Sequence, residues 1–317
     1  MITDTRMLYL YVETPLHAGV GSGLSSIDLP IQRERTTQYP MIQGSGIKGK
    51  LRAAMEGDRK QLSVEERAIV DTLFGPPSKP ADNTDSDRAS GSDHAGALIF
   101  GDARILLFPV RSLSGVFAYT TCYDVLNRFR RDKERSGTSF WNVPAPIRDE
   151  TSKTPIALVT STNEISASGA VVLEEFSFQA RASTAADEIA DWIARNAFPK
   201  GYNYWHDKLR RSLVILPDND FRDFVLYATE IITRIRIDRE KKTVDTGALW
   251  TEEHLPIDTL LYVPVYATNS RRNGSAMQAK DILQRAASLE DTQGGYIQLG
   301  GDETVGRGLV RMHWEKE

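Results

Sequence analysis

The segment between residues 14 and 52 restricts the possible folds of this chain most, because strand-like runs alternate there with two glycine turns. An apolar run just before it, MLYLYV at residues 7–12, is typical of a buried strand. The first turn has glycines at positions 19, 21 and 23, which let the backbone adopt positive φ and approach a ligand closely. A strand followed by such a loop predicts an accessible ligand site.

The second turn, GSG at residues 44–46, opens a helix-like segment that carries Lys48 and Arg52 on one face. Its spacing matches both the G-x-G-x-x-G dinucleotide pattern and the G-x-x-x-x-G-K start of a P-loop. Leu51 stands where a P-loop needs Ser or Thr, and the acidic strand end of a dinucleotide site would fall within a helical segment. What remains is a glycine turn at a helix N-terminus, which offers N–H groups to an anion and predicts phosphate binding.

The composition excludes several classes of protein. A formal net charge of −4 excludes a uniformly basic nucleic-acid binder, although it allows a local basic groove. The single cysteine, Cys122, excludes an intramolecular disulfide and a cysteine-based zinc site, and it is predicted to be buried. Because no apolar run approaches the roughly 18 residues of a membrane span, we expect a cytoplasmic protein with no membrane partner.

The order of predicted elements favours an α+β fold without regular βα repetition. Helices are predicted near residues 47–74 (with a break), 121–135, 185–197, 221–231 and 275–289, and strands near residues 39–42, 97–110, 170–178, 213–216, 232–237, 260–266, 296–299 and 309–314. Residues 138–170 are loop-like apart from an apolar run at residues 156–159. Ser63 and Glu66 have the spacing of a capping box. Isoleucines alternate with Arg234 and Arg236, which predicts a half-buried strand with both arginines facing solvent.

An imidazole and a carboxylate flank the first glycine loop. His17 precedes its glycines and Asp28 follows them. Beside a surface that accepts phosphate, this pair suits metal binding or acid–base chemistry on a phosphodiester. The alternatives are a structural histidine and a cap or turn role for Asp28.

Two further polar clusters are candidates for function. Glu252, Glu253 and His254 follow Trp250, where an exposed charged loop is the alternative. A second glycine-rich loop, LGGDETVGRG at residues 299–308, is either a bulged hairpin or a contact to RNA. Two glycine loops with arginines on strands favour a protein that contacts the RNA backbone over a small-molecule enzyme. Since there is no RRM aromatic signature, sequence-specific base stacking is not expected.

Five motifs together carry a resemblance to a known family. They are TPLHAGVGSGLSSIDLPIQRE, IQGSGIKGKLR, GDARILLFPVRS, GALWTEEHLP and QLGGDETVGRG, and they occur in the family's order over most of the chain. They resemble the RAMP superfamily and, more narrowly, the family of backbone subunit four of type III-B (Cmr) CRISPR effector complexes. The turn at residue 44 and the C-terminal glycine loop are general RAMP features, whereas the Asp28 loop and the GALW segment single out this subunit.

The resemblance implies a fold and an assembly. The fold is α+β: a ferredoxin-like (RRM-like) palm with inserted thumb and fingers elements. It would form a single RAMP domain over residues 1–317, with a polar insertion about 75–97, an irregular segment about 136–170 and a flap about 238–256. Copies would stack head-to-tail into a helical assembly for antiviral defence, and each thumb would disrupt one base pair of the guide–target duplex. The implied partners are CRISPR guide RNA, target RNA, further copies of the chain and other Cmr subunits, including the small helical subunit.

The resemblance also implies an activity and its residues. The family cleaves target RNA at regular intervals with a divalent metal ion, for which Mg²⁺ and Mn²⁺ are the candidates. The implied catalytic residues are Asp28, which would also bind the metal, His17, and the flap acid Glu252 or Glu253. The implied RNA-binding residues are Ser45, Gly46, Lys48, Arg52, Gly300, Gly301 and Arg307.

Two alternatives from the same superfamily stay open at this point. One is a RAMP scaffold that coats guide RNA without cutting it, against which Asp28 argues. The other is a RAMP endonuclease that processes precursor guide RNA as an isolated monomer.

Overall fold

Strands form the frame of the molecule. A computed structural model describes residues 2–22, 27–77, 94–135, 141–147 and 154–316. The strands in these ranges are β1 (Asp4–Val12), β2 (Met41–Ile42), β3 (Leu98–Phe100), β4 (Ala103–Arg111), β5 (Phe117–Cys122), β6 (Ile156–Val159), β7 (Ser166–Ala167), β8 (Ala170–Leu173), β9 (Phe176–Ala182), β10 (Leu213–Leu216), β11 (Glu230–Ile237), β12 (Val244–His254), β13 (Leu260–Ala267), β14 (Tyr296–Gln298) and β15 (Leu309–Trp314).

The helices lie between these strands without regular alternation. They are α1 (Gly44–Glu56), α2 (Val64–Phe74), α3 (Tyr123–Glu134), α4 (Thr184–Asn196), α5 (Asn203–Ser212), α6 (Asp218–Tyr227), α7 (Ala279–Ala287) and α8 (Leu289–Thr292). No helix in the ranges that the structure describes is long and apolar enough to cross a membrane.

Thirteen strands share one mixed sheet, whose order is β14-β15-β1-β13-β4-β5-β10-β6-β9-β8-β7, with β2 paired to β4 and β3 to β13. The pairs β5–β10 and β6–β9 are parallel and the other pairs are antiparallel. A separate two-stranded hairpin is formed by β11 and β12. The α+β class predicted from the sequence is therefore confirmed, with a large mixed sheet as its frame.

The strand β1 lies at the centre of the half of the sheet that supports the site. It pairs with β13 on one side and β15 on the other, and α7 contacts both β1 and β13. Residues 6–12 are buried, and from residue 7 to residue 12 the strand is continuously apolar rather than alternating with polar residues. An aromatic cluster around Phe129 contributes to the core, with ring centroids 4.9 Å from Tyr262 and 5.8 Å from Trp141.

Several local predictions are confirmed, whereas one strand and one helix were missed and a second helix was misplaced. The Ser63–Glu66 capping box is present and Cys122 is fully buried. The prediction missed β5 and α5, and its helix over residues 221–231 ends too late. In the structure α6 ends at residue 227, and β11 begins at residue 230 to pair with β12.

Part of the predicted insertions can be described. Residues 78–93 of the polar insertion about 75–97 lie outside the described residues, as do residues 136–140 and 148–153 of the segment about 136–170. The rest of that second segment contributes β6 and β7 to the sheet. The predicted flap about 238–256 comprises the turn and the second strand of the β11–β12 hairpin.

The orientation predicted for the hairpin arginines is wrong for Arg234. Its side chain is 24% exposed and faces Glu252 and Asp302, while Ile231 and Ile235 on the opposite face are about half exposed. Arg236 does lie in solvent, at 71% exposure. Alternation alone cannot say which face of a strand is covered, and here carboxylates on the inner face hold the arginine.

Candidate functional site

Three segments distant in sequence meet at the end of β12. The backbone N–H of Leu16 donates to the carbonyl of Leu255 (3.0 Å), and Leu255 returns the bond to Leu16 (2.9 Å). Leu29 forms a parallel bridge with Glu252. The N–H of Gly301 donates to the carbonyl of His17 (2.9 Å). The first glycine loop is therefore held between β12 and the C-terminal glycine loop.

An open cleft of about 480 Å³ lies over this junction. It brings together the first glycine loop, the N-terminus of α1 and the C-terminal glycine loop, and its lining includes His17, Gly19, Ser45, Gly46, Lys50, Gly300 and Gly301. Five of the predicted site residues thus share one surface, although they come from three separate motifs. Asp28 does not line this cleft.

His17 presents one ring nitrogen for chemistry. Its Nδ1 lies 2.7 Å from the carbonyl oxygen of Glu253. Because a carbonyl only accepts hydrogen bonds, Nδ1 carries the proton and Nε2 keeps its lone pair. A Cβ at Gly19 would lie 2.5 Å from Nε2, so glycine at that position leaves Nε2 uncovered.

Asp28 is held on the exposed side of β12 by Thr251. Its Oδ2 accepts the backbone N–H of Thr251 (2.8 Å) and the Thr251 hydroxyl (2.9 Å). These two bonds, the backbone one first, lower the pKa of Asp28 below its usual value. Asp28 is therefore a fixed, exposed carboxylate that stays ionised near neutral pH.

Glu253 is buried and surrounded by donors. One oxygen accepts the guanidinium of Arg33 and the hydroxyl of Thr229 (2.9 Å), and the other accepts the N–H of Ile31 (3.0 Å). The carboxylate therefore joins the first glycine loop to the hairpin. Its predicted catalytic role stays a prediction, and its contacts are those of a structural anchor.

Glu252 belongs to a different cluster. It accepts the indole N–H of Trp250 (2.7 Å) and the Nε–H of Arg234 (2.7 Å), while a second guanidinium nitrogen of Arg234 lies 2.8 Å from Asp302. Burial raises the pKa of Glu252, but these hydrogen bonds outweigh burial and hold it below its usual value. Glu252 is thus a buried, ionised carboxylate beside a second one.

His254 completes this cluster. It is fully buried, and its ring centroid lies 5.3 Å from that of His17. Burial is the main cause that lowers the pKa of His254, with smaller contributions from nearby His17 and Arg307, so its imidazole is neutral near pH 7. Asp302 has φ of 60°, and this left-handed turn brings the C-terminal loop to the cluster.

The basic side chains of α1 do not all face the cleft. Lys48 Nζ lies 3.3 Å from the carbonyl of Leu98, and burial and nearby arginines lower its pKa. Arg52 pairs with Glu56 at 3.3 Å. Both side chains are therefore engaged by the protein, whereas Lys50 lines the cleft with only a 3.8 Å contact to Glu303.

The fold requires a glycine at position 300 in the C-terminal loop. Gly300 has φ of +75°, and a Cβ there would lie 2.2 Å from the carbonyl oxygen of His17. Arg307 is half-buried beside this loop, and its N–H donates to the carbonyl of Asp302 (3.2 Å). Glycine at residue 300 is what permits the loop to contact the His17 backbone.

Sequence reasoning missed three residues that the site assembles: Asp302, Arg234 and Lys50. Asp302 carried no signal beyond its position in a glycine loop. Arg234 was assigned to the wrong face of its strand. Lys50 could have been found by noting that residues 46 and 50 are four apart and therefore share a helix face.

Comparisons with known proteins identify the family. The family model described as "RAMPs: RAMP superfamily" matches residues 9–311. The chain is 38% identical over 303 residues to the "CRISPR system Cmr endoribonuclease Cmr4" of Pyrococcus furiosus, covering 96% of this chain and 93% of that protein. It is 27% identical to the "CRISPR system CMR subunit Cmr4" of Saccharolobus solfataricus, covering 98% and 97%.

A solved structure agrees with these relatives. The crystal structure of oligomeric Cmr4 from Pyrococcus furiosus superposes with a TM-score of 0.71 at 31% identity, covering 99% of each chain. The resemblance seen in the five sequence motifs thus extends to the whole chain and to its fold. The chain belongs to the RAMP superfamily.

Proposed function

We propose that the chain is a repeated backbone subunit of a type III-B CRISPR RNA-guided complex, which binds guide RNA and cleaves complementary target RNA at regular intervals. The observation that carries this proposal is the 38% identity, over 96% of the chain, to a relative named as a Cmr endoribonuclease. The chemistry of the cleft and of the exposed Asp28 is compatible with this function and suggests how the residues divide the work.

RNA backbone binding is best supported at the cleft. The N-terminal turn of α1 lines the cleft, and Ser45 and Gly46 are exposed there. The N–H of Gly44 already donates to Asp102 Oδ1 (2.9 Å), so Ser45 and Gly46 are the residues of this turn that RNA would contact. Lys50 adds a positive charge on the same wall, while Gly300 and Gly301 form the facing wall. These residues suit an RNA phosphate. Lys48 and Arg52 stay predicted contacts that would first have to leave their present partners.

Acid–base chemistry on the target strand is proposed for His17 and Asp28. Cleavage begins when a 2′-hydroxyl attacks the adjacent phosphorus and the bond to the 5′-oxygen breaks. A base must accept the hydroxyl proton, and the 5′-oxygen must take up a proton, which water can supply, to leave as an alcohol. The free Nε2 of His17 suits the proton acceptor. Asp28 is a weaker base because its pKa is lowered, so it fits better as a fixed negative charge that orients a reacting group or binds a cation.

A divalent metal ion, Mg²⁺ or Mn²⁺, remains part of the proposal. When bound, such an ion would neutralise charge on the phosphodiester in the transition state. Asp28 supplies a single carboxylate with one oxygen already occupied by Thr251, so it would need ligands from RNA or from a neighbouring copy. Among the described residues, the group with three potential metal ligands lies elsewhere, at Glu252, His254 and Asp302.

Architecture and assembly follow from the same proposal. The central part of the sheet would be the ferredoxin-like palm of a single RAMP domain, and the β11–β12 hairpin is an inserted element of the kind that forms a thumb. Copies would stack head-to-tail along guide RNA together with other Cmr subunits in the cytoplasm. Sequence recognition would be delegated to guide–target pairing, which agrees with a protein of net charge −4 that has only a local basic cleft.

The test is Asp28→Asn in a reconstituted complex, with Asp291→Asn on α8 as an exposed control of the same chemistry. We expect Asp28→Asn to abolish cleavage of target RNA while guide and target binding persist in gel-shift measurements. Asp291→Asn should cut normally. Cleavage by the Asp28→Asn complex would show that this carboxylate is not needed.

Two other functions remain distinguishable. A RAMP scaffold would bind guide and target but leave target intact even with the natural Asp28. A guide-processing endonuclease would cut precursor RNA at a repeat hairpin as an isolated chain. Asp28 argues against the scaffold. Gels of target RNA incubated with the complex, and of precursor RNA incubated with the isolated chain, separate all three functions.

A further inference from the structure

A group of potential metal ligands lies on the inner face of the hairpin, away from Asp28. Glu252 and His254 are two residues apart on β12, so their side chains point to the same face of the strand. Asp302 reaches them from the C-terminal glycine loop. One ligand atom from each of the three residues lies within 4.8 Å of the other two.

The buried ring of His254 is a further sign of a ligand at this group. Its side chain has no exposure to solvent, and in the described part of the chain neither ring nitrogen has a hydrogen-bond partner. A buried polar group without a partner is destabilising, so native proteins rarely leave both nitrogens of a histidine unpaired. The ring therefore points to a ligand rather than to a structural role.

The distances fit a shared ion better than hydrogen bonds. His254 Nε2 lies 3.9 Å from a carboxylate oxygen of Glu252 and 3.8 Å from one of Asp302. Both distances are too long for hydrogen bonds. Ligands bound to one Zn²⁺-sized ion at about 2.0–2.2 Å lie roughly 3–4 Å apart, so a cation between these atoms needs little rearrangement.

The charge of the cluster also suits a divalent cation. Arg234 now contacts both carboxylates, through Nε to Glu252 at 2.7 Å and through a terminal nitrogen to Asp302 at 2.8 Å. A guanidinium supplies one positive charge for two negative ones. A divalent ion would match the two carboxylates in charge, so it would compete with Arg234 for the same oxygens.

We propose that Glu252, His254 and Asp302 form a binding site for a divalent transition-metal ion that joins β12 to the C-terminal glycine loop. An imidazole with two carboxylates favours Mn²⁺ or Zn²⁺ over Ca²⁺ or Mg²⁺, which prefer oxygen ligands alone. The same loop contacts His17 through Gly301. The ion is thus a positioning element, whose effect on cleavage rests on the proposed function while its binding does not.

The test measures metal binding by the full chain without RNA. After treatment with EDTA, the protein is titrated with Mn²⁺ followed by electron paramagnetic resonance, and with Zn²⁺ followed by calorimetry. We expect one ion per chain. Asp302→Asn keeps the shape of the side chain and tolerates the left-handed backbone, and it should weaken binding by about tenfold or more. Asp291→Asn, at an exposed position of α8, should bind as the natural chain does.

The outcomes separate the possibilities. The proposal is overturned if the natural chain binds neither ion, if Asp302→Asn binds with unchanged affinity, or if the exposed control Asp291→Asn loses the ion to the same extent as Asp302→Asn. Glu252→Gln gives a second, independent reading should Asp302→Asn fail to fold by circular dichroism. A complex that binds the ion but never cuts target RNA would refute the proposed function and leave this site standing.

Discussion

Residue 46 is a glycine, although the fold does not require a glycine there. It lies in the first turn of α1, and a Cβ built there would meet nothing within 4 Å. Glycine within a helix is less stable than alanine by about 1 kcal/mol. No neighbour inside the chain explains the glycine, and its place in the cleft lining fits the proposed contact between RNA and the backbone at this position.

Gly46→Ala should therefore separate folding from binding. We expect unfolding in denaturant to show the same or up to about 1 kcal/mol greater stability, because alanine restricts the unfolded chain. Binding of guide RNA should weaken by about tenfold, because the added methyl group covers the N-terminal N–H groups.

Gly49→Ala is the matched control. Gly49 lies in the same helix, also with open space at its Cβ, but it is not part of the cleft lining. It should gain similar stability and bind RNA normally. Equal loss of binding in both variants would mean that helix α1 does not meet RNA through its N-terminal turn.

At the scale of elements, the Arg33–Glu253 pair holds the first glycine loop against the hairpin. The side chains are 12% and 3% exposed, so solvent screens this ion pair little. Glu253→Gln leaves Arg33 without its anion and should lower the free energy of unfolding by about 3 kcal/mol, measured by denaturant unfolding. Glu240→Gln in the exposed hairpin turn should change little. If Glu253→Gln folds with unchanged stability and yet abolishes cleavage, Glu253 acts in the chemistry.

The contact of α8 with β15 predicts a pH dependence. Burial raises the pKa of Glu290, but bonds from His313 (3.1 Å) and the N–H of Trp314 (2.8 Å) outweigh it and lower the pKa below its ordinary 4.5. The folded state therefore releases this proton more readily than the unfolded state. The stabilisation is complete above pH 4.5 and is lost as the pH falls through the folded-state pKa.

Unfolding of Glu290→Gln across this range checks that sign. The natural chain should be more stable than the variant near neutral pH, and the two should converge in acid. A difference that grows as the pH falls would contradict the assignment of Glu290 as an ionised acceptor.

Elements with a strong local signal were predictable, and elements set by tertiary contacts were not. The apolar runs at residues 213–216 and 309–314 form the predicted strands because their own side chains fill the core. The inward face of Arg234 depends on Glu252 and Asp302, which are 18 and 68 positions away in the sequence. No pattern within β11 itself encodes that contact.

At the scale of the whole molecule, the cleft is a product of topology. Residues near positions 17, 45 and 300 converge because β1 pairs with β15 and the first glycine loop folds onto β12. Sequence patterns and the family resemblance named most of these residues and gave the two N-terminal turns different roles. They could not show that His17 shares a surface with the α1 turn, or that Lys50 rather than Lys48 faces it.

The spacing of the RNA products is the sharpest test of whether assembled copies of this chain cut target RNA. A 5′-labelled RNA complementary to the guide is incubated with the reconstituted complex, and the products are resolved on a sequencing gel. We expect a ladder of evenly spaced products that appears only when both guide and assembled copies are present. Intact target RNA, a single product, or cutting of precursor RNA by the isolated chain at a repeat hairpin would overturn the proposed function.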